Sequence, residues 1–139
     1  METVKELKYQ KIRYASSIEN NTQDMLISEA EDLGFMNNNS IYYLKNLFIK
    51  YYNPILYIFN QENFVKMELD KGNIDIKLYD RSDIKEIQCS IDKKRNYKLS
   101  FIVDNNTECF DSENDTSEEY KGIYNEIIKD IITYIGKNK

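Results

Sequence analysis

The order of elements in the second half of this chain constrains its fold more than any other feature. From Pro54 to Phe110, short strand-like runs alternate with turn residues. One long amphipathic segment, Thr116 to Ile135, then closes the sequence. That order predicts an α+β domain in which an antiparallel meander of six to seven strands is capped by a long C-terminal helix. At 139 residues the chain fits one domain, divided into a mainly helical subregion over 1–53, an antiparallel sheet over 54–111 and a terminal helix over 116–135.

The best-defined local signal is a hairpin. Val65, Met67 and Leu69 alternate with Lys66, Glu68 and Asp70, and Ile74, Ile76 and Leu78 alternate with Asp75, Lys77 and Tyr79. Such alternation marks strands with one buried face. Lys71-Gly72 between them makes a two-residue turn in which Gly accepts a positive φ. The register pairs Leu69 with Ile74, Met67 with Ile76 and Val65 with Leu78, and a slip of one residue would turn every apolar side chain to the wrong face. Downstream, Ile87, Cys89 and Ile91 share a face, and Tyr97, Leu99, Phe101 and Val103 share another. A tight turn at Asn105-Asn106 pairs Phe101 with Phe110, which sets Cys109 beside Ile102. Cys89 then points inwards and Cys109 outwards, so no bridge is expected.

The first 53 residues read as helices. Residues 1–18 fit a weak helical stripe, with an additional strand over 4–14 as the alternative. Met25, Leu26, Ala30 and Leu33 are spaced for a helix that Gly34 ends in a left-handed C′ conformation. Ser40 reads as an N-cap before Ile41, Leu44, Leu47, Phe48 and Tyr51, and Asn53-Pro54 stops that helix. At the other end, Thr116 with Glu119 forms a capping-box pattern, and Lys137 and Lys139 suit the negative C-terminal end of the last helix.

Composition removes several chemistries. The chain has no histidine, which excludes Ser-His-Asp and Cys-His nucleophile systems, His-ligated zinc and an imidazole acid/base. Two cysteines are too few for a disulfide scaffold or a four-cysteine zinc site. No signal peptide and no apolar run of membrane-spanning length are visible, so a cytoplasmic protein is expected, without cofactor, metal or integral membrane association. The Lys-, Asn- and Ile-rich bias points to an AT-rich, bacterial genome.

Between Asp104 and Glu119 lie seven carboxylates and no Lys or Arg, so this segment carries more than the whole net charge of −5. Local acidity argues against nucleic acid there, since phosphate neutralisation needs cations.

Leu78-Tyr79, followed by Ser82-Asp83-Ile84-Lys85-Glu86-Ile87, then the strands Tyr97–Val103 and Thr107–Phe110 and the helix Thr116–Ile135, resembles the bacterial pleckstrin-homology-like pattern over residues 55–136. The resemblance implies a partial barrel with a capping helix. It departs from the family in the helical residues 20–53 and in showing six strands where the family has seven. It also implies that the basic hairpin tip Lys93-Lys94-Arg95 could contact phosphate or anionic lipid, as in lipid-binding relatives.

Asp111, Glu113, Asp115 and Glu118 form the candidate partner-binding surface. With Glu119 they lack the central glycine of an EF-hand loop. Tyr42, Tyr43, Tyr51, Tyr52 and Tyr57 suit the seam between helix and sheet, or a homodimer face. The expected function is a non-catalytic intracellular interaction module that binds a protein or peptide partner, either at a sheet edge or through the acidic 104–119 segment, which would suit a basic partner. An inhibitor or immunity-type protein masking a basic enzyme surface and an anionic-lipid-binding module are the alternatives.

Overall fold

The computed structural model describes residues 21–37, 39–46 and 53–136. Within them run α1 (Asn21–Asp32), β1 (Ile41–Lys45), β2 (Ile55–Phe59), β3 (Asn63–Asp70), β4 (Asn73–Asp80), β5 (Lys85–Ile91), β6 (Tyr97–Val103), β7 (Asn106–Asp111) and α2 (Lys121–Gly136). The architecture is α+β and antiparallel. The expected continuous meander is instead two sheets, β1-β2-β3-β4 and β5-β6-β7, with no closed barrel. The expectation for residues 1–18, Leu47, Phe48, Tyr51, Tyr52, Lys137 and Lys139 falls outside the described residues.

The helical reading of 41–45 is wrong. These residues are a strand whose five positions pair with β2, from Ile41 opposite Phe59 to Lys45 opposite Ile55. Ile-Tyr-Tyr is β-favouring, and the strand buries Tyr43 on one face and Leu44 on the other. The i, i+3 spacing of Ile41 and Leu44 therefore reflects burial of both faces. Ser40 caps no helix. Its hydroxyl accepts from the Asn37 N–H at 2.9 Å and donates to Asn60 Oδ1 at 2.5 Å, closing the loop that enters β1.

α1 ends as its sequence predicts. Gly34 has φ +77°, the Phe35 N–H reaches Ala30 O at 3.0 Å, and the Gly34 N–H reaches Glu31 O at 3.1 Å. This double bond pattern is a Schellman closure. α1 packs on β3 and buries Leu26, Ile27 and Ala30.

The β3–β4 hairpin has the predicted register throughout, including Leu69–Ile74, Met67–Ile76 and Val65–Leu78. Lys71 and Gly72 both have positive φ, 52° and 84°, the geometry of a type I′ turn. In the β6–β7 hairpin the turn falls one residue earlier than expected. Asp104 and Asn105 carry the positive φ values, 51° and 64°, so Phe101 faces Glu108, Leu99 faces Phe110 and Cys109 faces Ser100. The inner face keeps its parity because the register moves by two residues.

The core fills the space between the sheets and under α2. The Phe110 ring meets Tyr43 at 5.0 Å, Tyr57 at 4.7 Å, Phe101 at 5.7 Å and Phe59 at 6.0 Å. α2 buries Tyr124, Ile127, Ile128, Ile131, Tyr134 and Ile135 and ties both sheets. Its Tyr124 hydroxyl donates to Leu44 O at 2.5 Å, its Tyr134 hydroxyl donates to Asn60 O at 2.5 Å, and its Asn125 Oδ1 accepts the Tyr97 N–H at 2.9 Å. The capping box is not formed. Thr116 is buried, a 3-10 turn (Glu118–Tyr120) precedes α2, and Ser117 at its head makes no side-chain cap bond.

Candidate functional site

The seam between the sheets carries two buried carboxylates. Glu108, on β7, is 4% exposed. It accepts the Tyr57 hydroxyl at 2.7 Å and pairs with Lys66 Nζ at 3.1 Å. Asp115, just after β7, is 3% exposed. It accepts the Tyr43 hydroxyl at 2.6 Å and the Asp111 N–H at 2.8 Å, with Lys45 Nζ 3.8 Å away. Tyr43 and Tyr57 are cross-strand partners, so the two tyrosine–carboxylate–lysine sets lie side by side. Burial raises both phenols well above their ordinary pKa, and the adjacent carboxylates push the same way.

Burial also raises the Asp115 carboxyl, against the pull of Lys45 and the Tyr43 hydroxyl. A carboxyl raised in the native state contributes its full stability below the unfolded value of about 4, and loses it as pH rises through the native value. Asp115→Asn should therefore flatten the decline in stability above about pH 4. Urea unfolding of both proteins between pH 4 and 7 checks this; parallel profiles would show that Asp115 titrates normally.

The predicted acidic surface thus loses one of its four members. Asp115 is internal. Asp111 folds its own loop, accepting the Glu113 N–H at 3.0 Å and Asn114 Nδ2 at 2.7 Å, and Lys98 Nζ stands 3.8 Å away. Glu118 pairs with Lys121 at 2.5 Å, and Glu113 is exposed. Glu118 foremost, with Glu113 and Asp111, raises the Lys121 ammonium, so these three lie near one another and only Asp115 leaves the expected surface. Among the described residues no cluster of His, Cys, Asp or Glu could hold a metal ion.

Lys93, Lys94 and Arg95 are exposed at the β5–β6 tip. The tip is built by Asp92, whose Oδ1 accepts the Lys94 and Asn96 N–H groups, each at 2.9 Å. These bonds hold its carboxyl below the usual range. Cys89 and Cys109 are free and both exposed. Cys89 shares the face of its partner Leu99, but the core does not extend over it, contrary to the inward placement expected. Of the tyrosines, Tyr43 and Tyr57 are core and Tyr42 is half-buried.

Uncompensated charge lies elsewhere. Where β4 leaves the first sheet and β5 begins the second, a cleft of about 670 Å³ opens. Its walls include Leu78, Asp80, Asp83 and Lys85, with Asp104 and Asn105 from the β6–β7 turn. Asp80, Asp83 and Asp104 are all exposed, and none makes an ion pair among the described residues. Asp80 and Asp104 belong to different sheets and share this cleft only because the two sheets pack together, so sequence spacing could not have grouped them.

A second groove, of about 440 Å³, runs between Ile41, Phe59, Gln61 and the end of α2. Arg81 fills its wall. The guanidinium stacks on the Tyr134 ring at 4.0 Å and donates to Tyr134 O and to Gln61 O. It thereby supplies the cation at the C-terminus of α2, whose last turn has no basic residue of its own. Among the described residues, no helix is long and apolar enough to cross a membrane. No family model, no curated protein and no solved structure matches the chain.

Proposed function

We propose that the protein is a non-catalytic interaction module on a pleckstrin-homology-like scaffold, and that it engages a basic protein or peptide at the cleft between its sheets. The observation that carries this reading is the set of three exposed, unpaired aspartates, Asp80, Asp83 and Asp104, around one cleft with Lys85 as its cation. Lysine or arginine side chains complement such a site, and complementarity of this kind sets specificity and encounter rate. A basic enzyme surface masked by the protein is one partner of this class. The scaffold reading is supported by the succession of four strands, three strands and a closing helix. A non-catalytic role is supported by the buried carboxylates, which are occupied by tyrosine and lysine partners.

A lysine- and arginine-rich decapeptide titrated into labelled protein tests the proposal. Amide shifts should centre on residues 80–85 and 103–105. Joint replacement of Asp80, Asp83 and Asp104 by asparagine should weaken binding about tenfold, and added salt should do the same. Undiminished binding by the triple variant would remove the cleft from consideration. Retention of the protein on anionic vesicles, abolished by substitutions at Lys93–Arg95, would favour the lipid reading instead.

A further inference from the structure

β4 is an edge strand of eight residues whose free side no described strand covers. Edges of this length invite pairing with another chain unless they are blunted. On one face it leaves Ile76 36% and Leu78 58% exposed, next to half-buried Ile74. On the other face lie Asp75 and Lys77, both exposed and without an ion pair among the described residues. β3 offers them no complement, since Glu68 stands opposite Asp75 and Lys66 opposite Lys77. Like charges directly opposite each other are unfavourable.

The hydrogen-bond phase of β4 follows from its turn. Asp70 and Asn73 flank the two-residue turn, so they form a hydrogen-bonded pair, and every second residue from Asn73 onward also points its backbone groups at β3. Ile74, Ile76, Leu78 and Asp80 therefore present their N–H and C=O groups to the open side.

We infer that β4 is a self-complementary docking edge, and that two copies of this chain pair antiparallel through it about a two-fold axis at Ile76. In that register Ile76 exchanges backbone hydrogen bonds with Ile76 of the other copy. Ile74 meets Leu78, and Asp75 meets Lys77, in both halves of the interface as two-fold symmetry requires. The neighbouring registers are rejected by charge. Moving the axis to Asp75 sets aspartate against aspartate, and moving it to Lys77 sets lysine against lysine. A one-residue slip of one copy breaks the hydrogen-bond phase. The pairing joins two four-stranded sheets and brings their exposed isoleucine and leucine side chains onto one continuous face. A lysine on an edge strand ordinarily discourages association; here it has an aspartate waiting in the second copy. One strand per copy is a small interface, so the association belongs to the weak, concentration-dependent class.

Charge reversal tests the register without endangering the fold. Asp75→Lys sets a lysine opposite Glu68, and Lys77→Asp sets an aspartate opposite Lys66, so each monomer gains a favourable cross-strand pair. Sedimentation equilibrium from about 10 µM to about 1 mM should show a monomer–dimer equilibrium for the unmodified protein. Each single variant should self-associate about tenfold more weakly, because both symmetry-related pairs become repulsive. The double variant, with the two charges exchanged, should recover dimerisation, and so should an equimolar mixture of the two single variants. A protein that stays monomeric to 1 mM, or single variants that dimerise as well as the parent, would overturn the inference.

Discussion

Glu108→Ala should lower folding stability by about 3–5 kcal/mol, because it leaves the Lys66 ammonium in the interior without its counter-charge. Lys66 and Glu108 are 15% and 4% exposed at their side chains and lie 3.1 Å apart. The Tyr57 hydroxyl, which donates to Glu108 at 2.7 Å, loses its acceptor in the same step, and an unsatisfied buried donor adds about 1–3 kcal/mol to the cost. Replacing both charges, Glu108→Leu with Lys66→Met, should cost far less than the alanine variant, since a well-packed apolar pair avoids the desolvation of two ions. Urea unfolding of Glu108→Leu, Lys66→Met and the double variant gives the coupling directly. Additive effects would mean that the ion pair contributes nothing as a pair.

Phe110→Ala should be the most costly of the aromatic truncations, at about 3–5 kcal/mol. The ring is almost wholly buried and touches four others, from β1, β2 and β6, including the two tyrosines that hold the buried carboxylates. Its loss opens a void at the one point where both sheets meet those polar bridges, and rigid aromatic neighbours collapse poorly into a void. By contrast Ile91→Ala, at an exposed position, should stay within about 0.5 kcal/mol of the parent. Thermal and urea unfolding distinguish the two; similar losses at both positions would place the core elsewhere.

What the sequence revealed follows local rules. Gly34 and Gly72 mark backbone conformations that few other residues adopt, and both stand where turn chemistry places them. The β3–β4 register follows from alternation plus a two-residue turn. The β6–β7 register does not, because Asp104-Asn105 and Asn105-Asn106 are equally good left-handed pairs and only packing chooses between them. β1 was hidden by the coincidence that a strand buried on both faces can mimic helical spacing over a few residues. Lys66 and Glu108 look solvated because charge at alternate strand positions ordinarily faces water. Their burial depends on a second sheet closing over the first, which no short window of sequence contains. Asp80, Asp83 and Asp104 come together for the same reason, and Arg81 reaches the end of α2 from 53 residues away.

The two sheets share no hydrogen-bonded strand, which has a consequence for how the domain melts. Among the described residues, the coupling between them passes through side chains, α2 and a loop bond from the Asn46 N–H to Asp115 O at 2.8 Å. Backbone ladders transmit unfolding within a sheet, but across this joint they transmit nothing. One-step unfolding is therefore a property of a few residues, Tyr43, Tyr57, Glu108, Phe110, Asp115 and Tyr124 among them. Weakening that set should decouple the halves and let each sheet open at its own free energy, as separate cooperative units do.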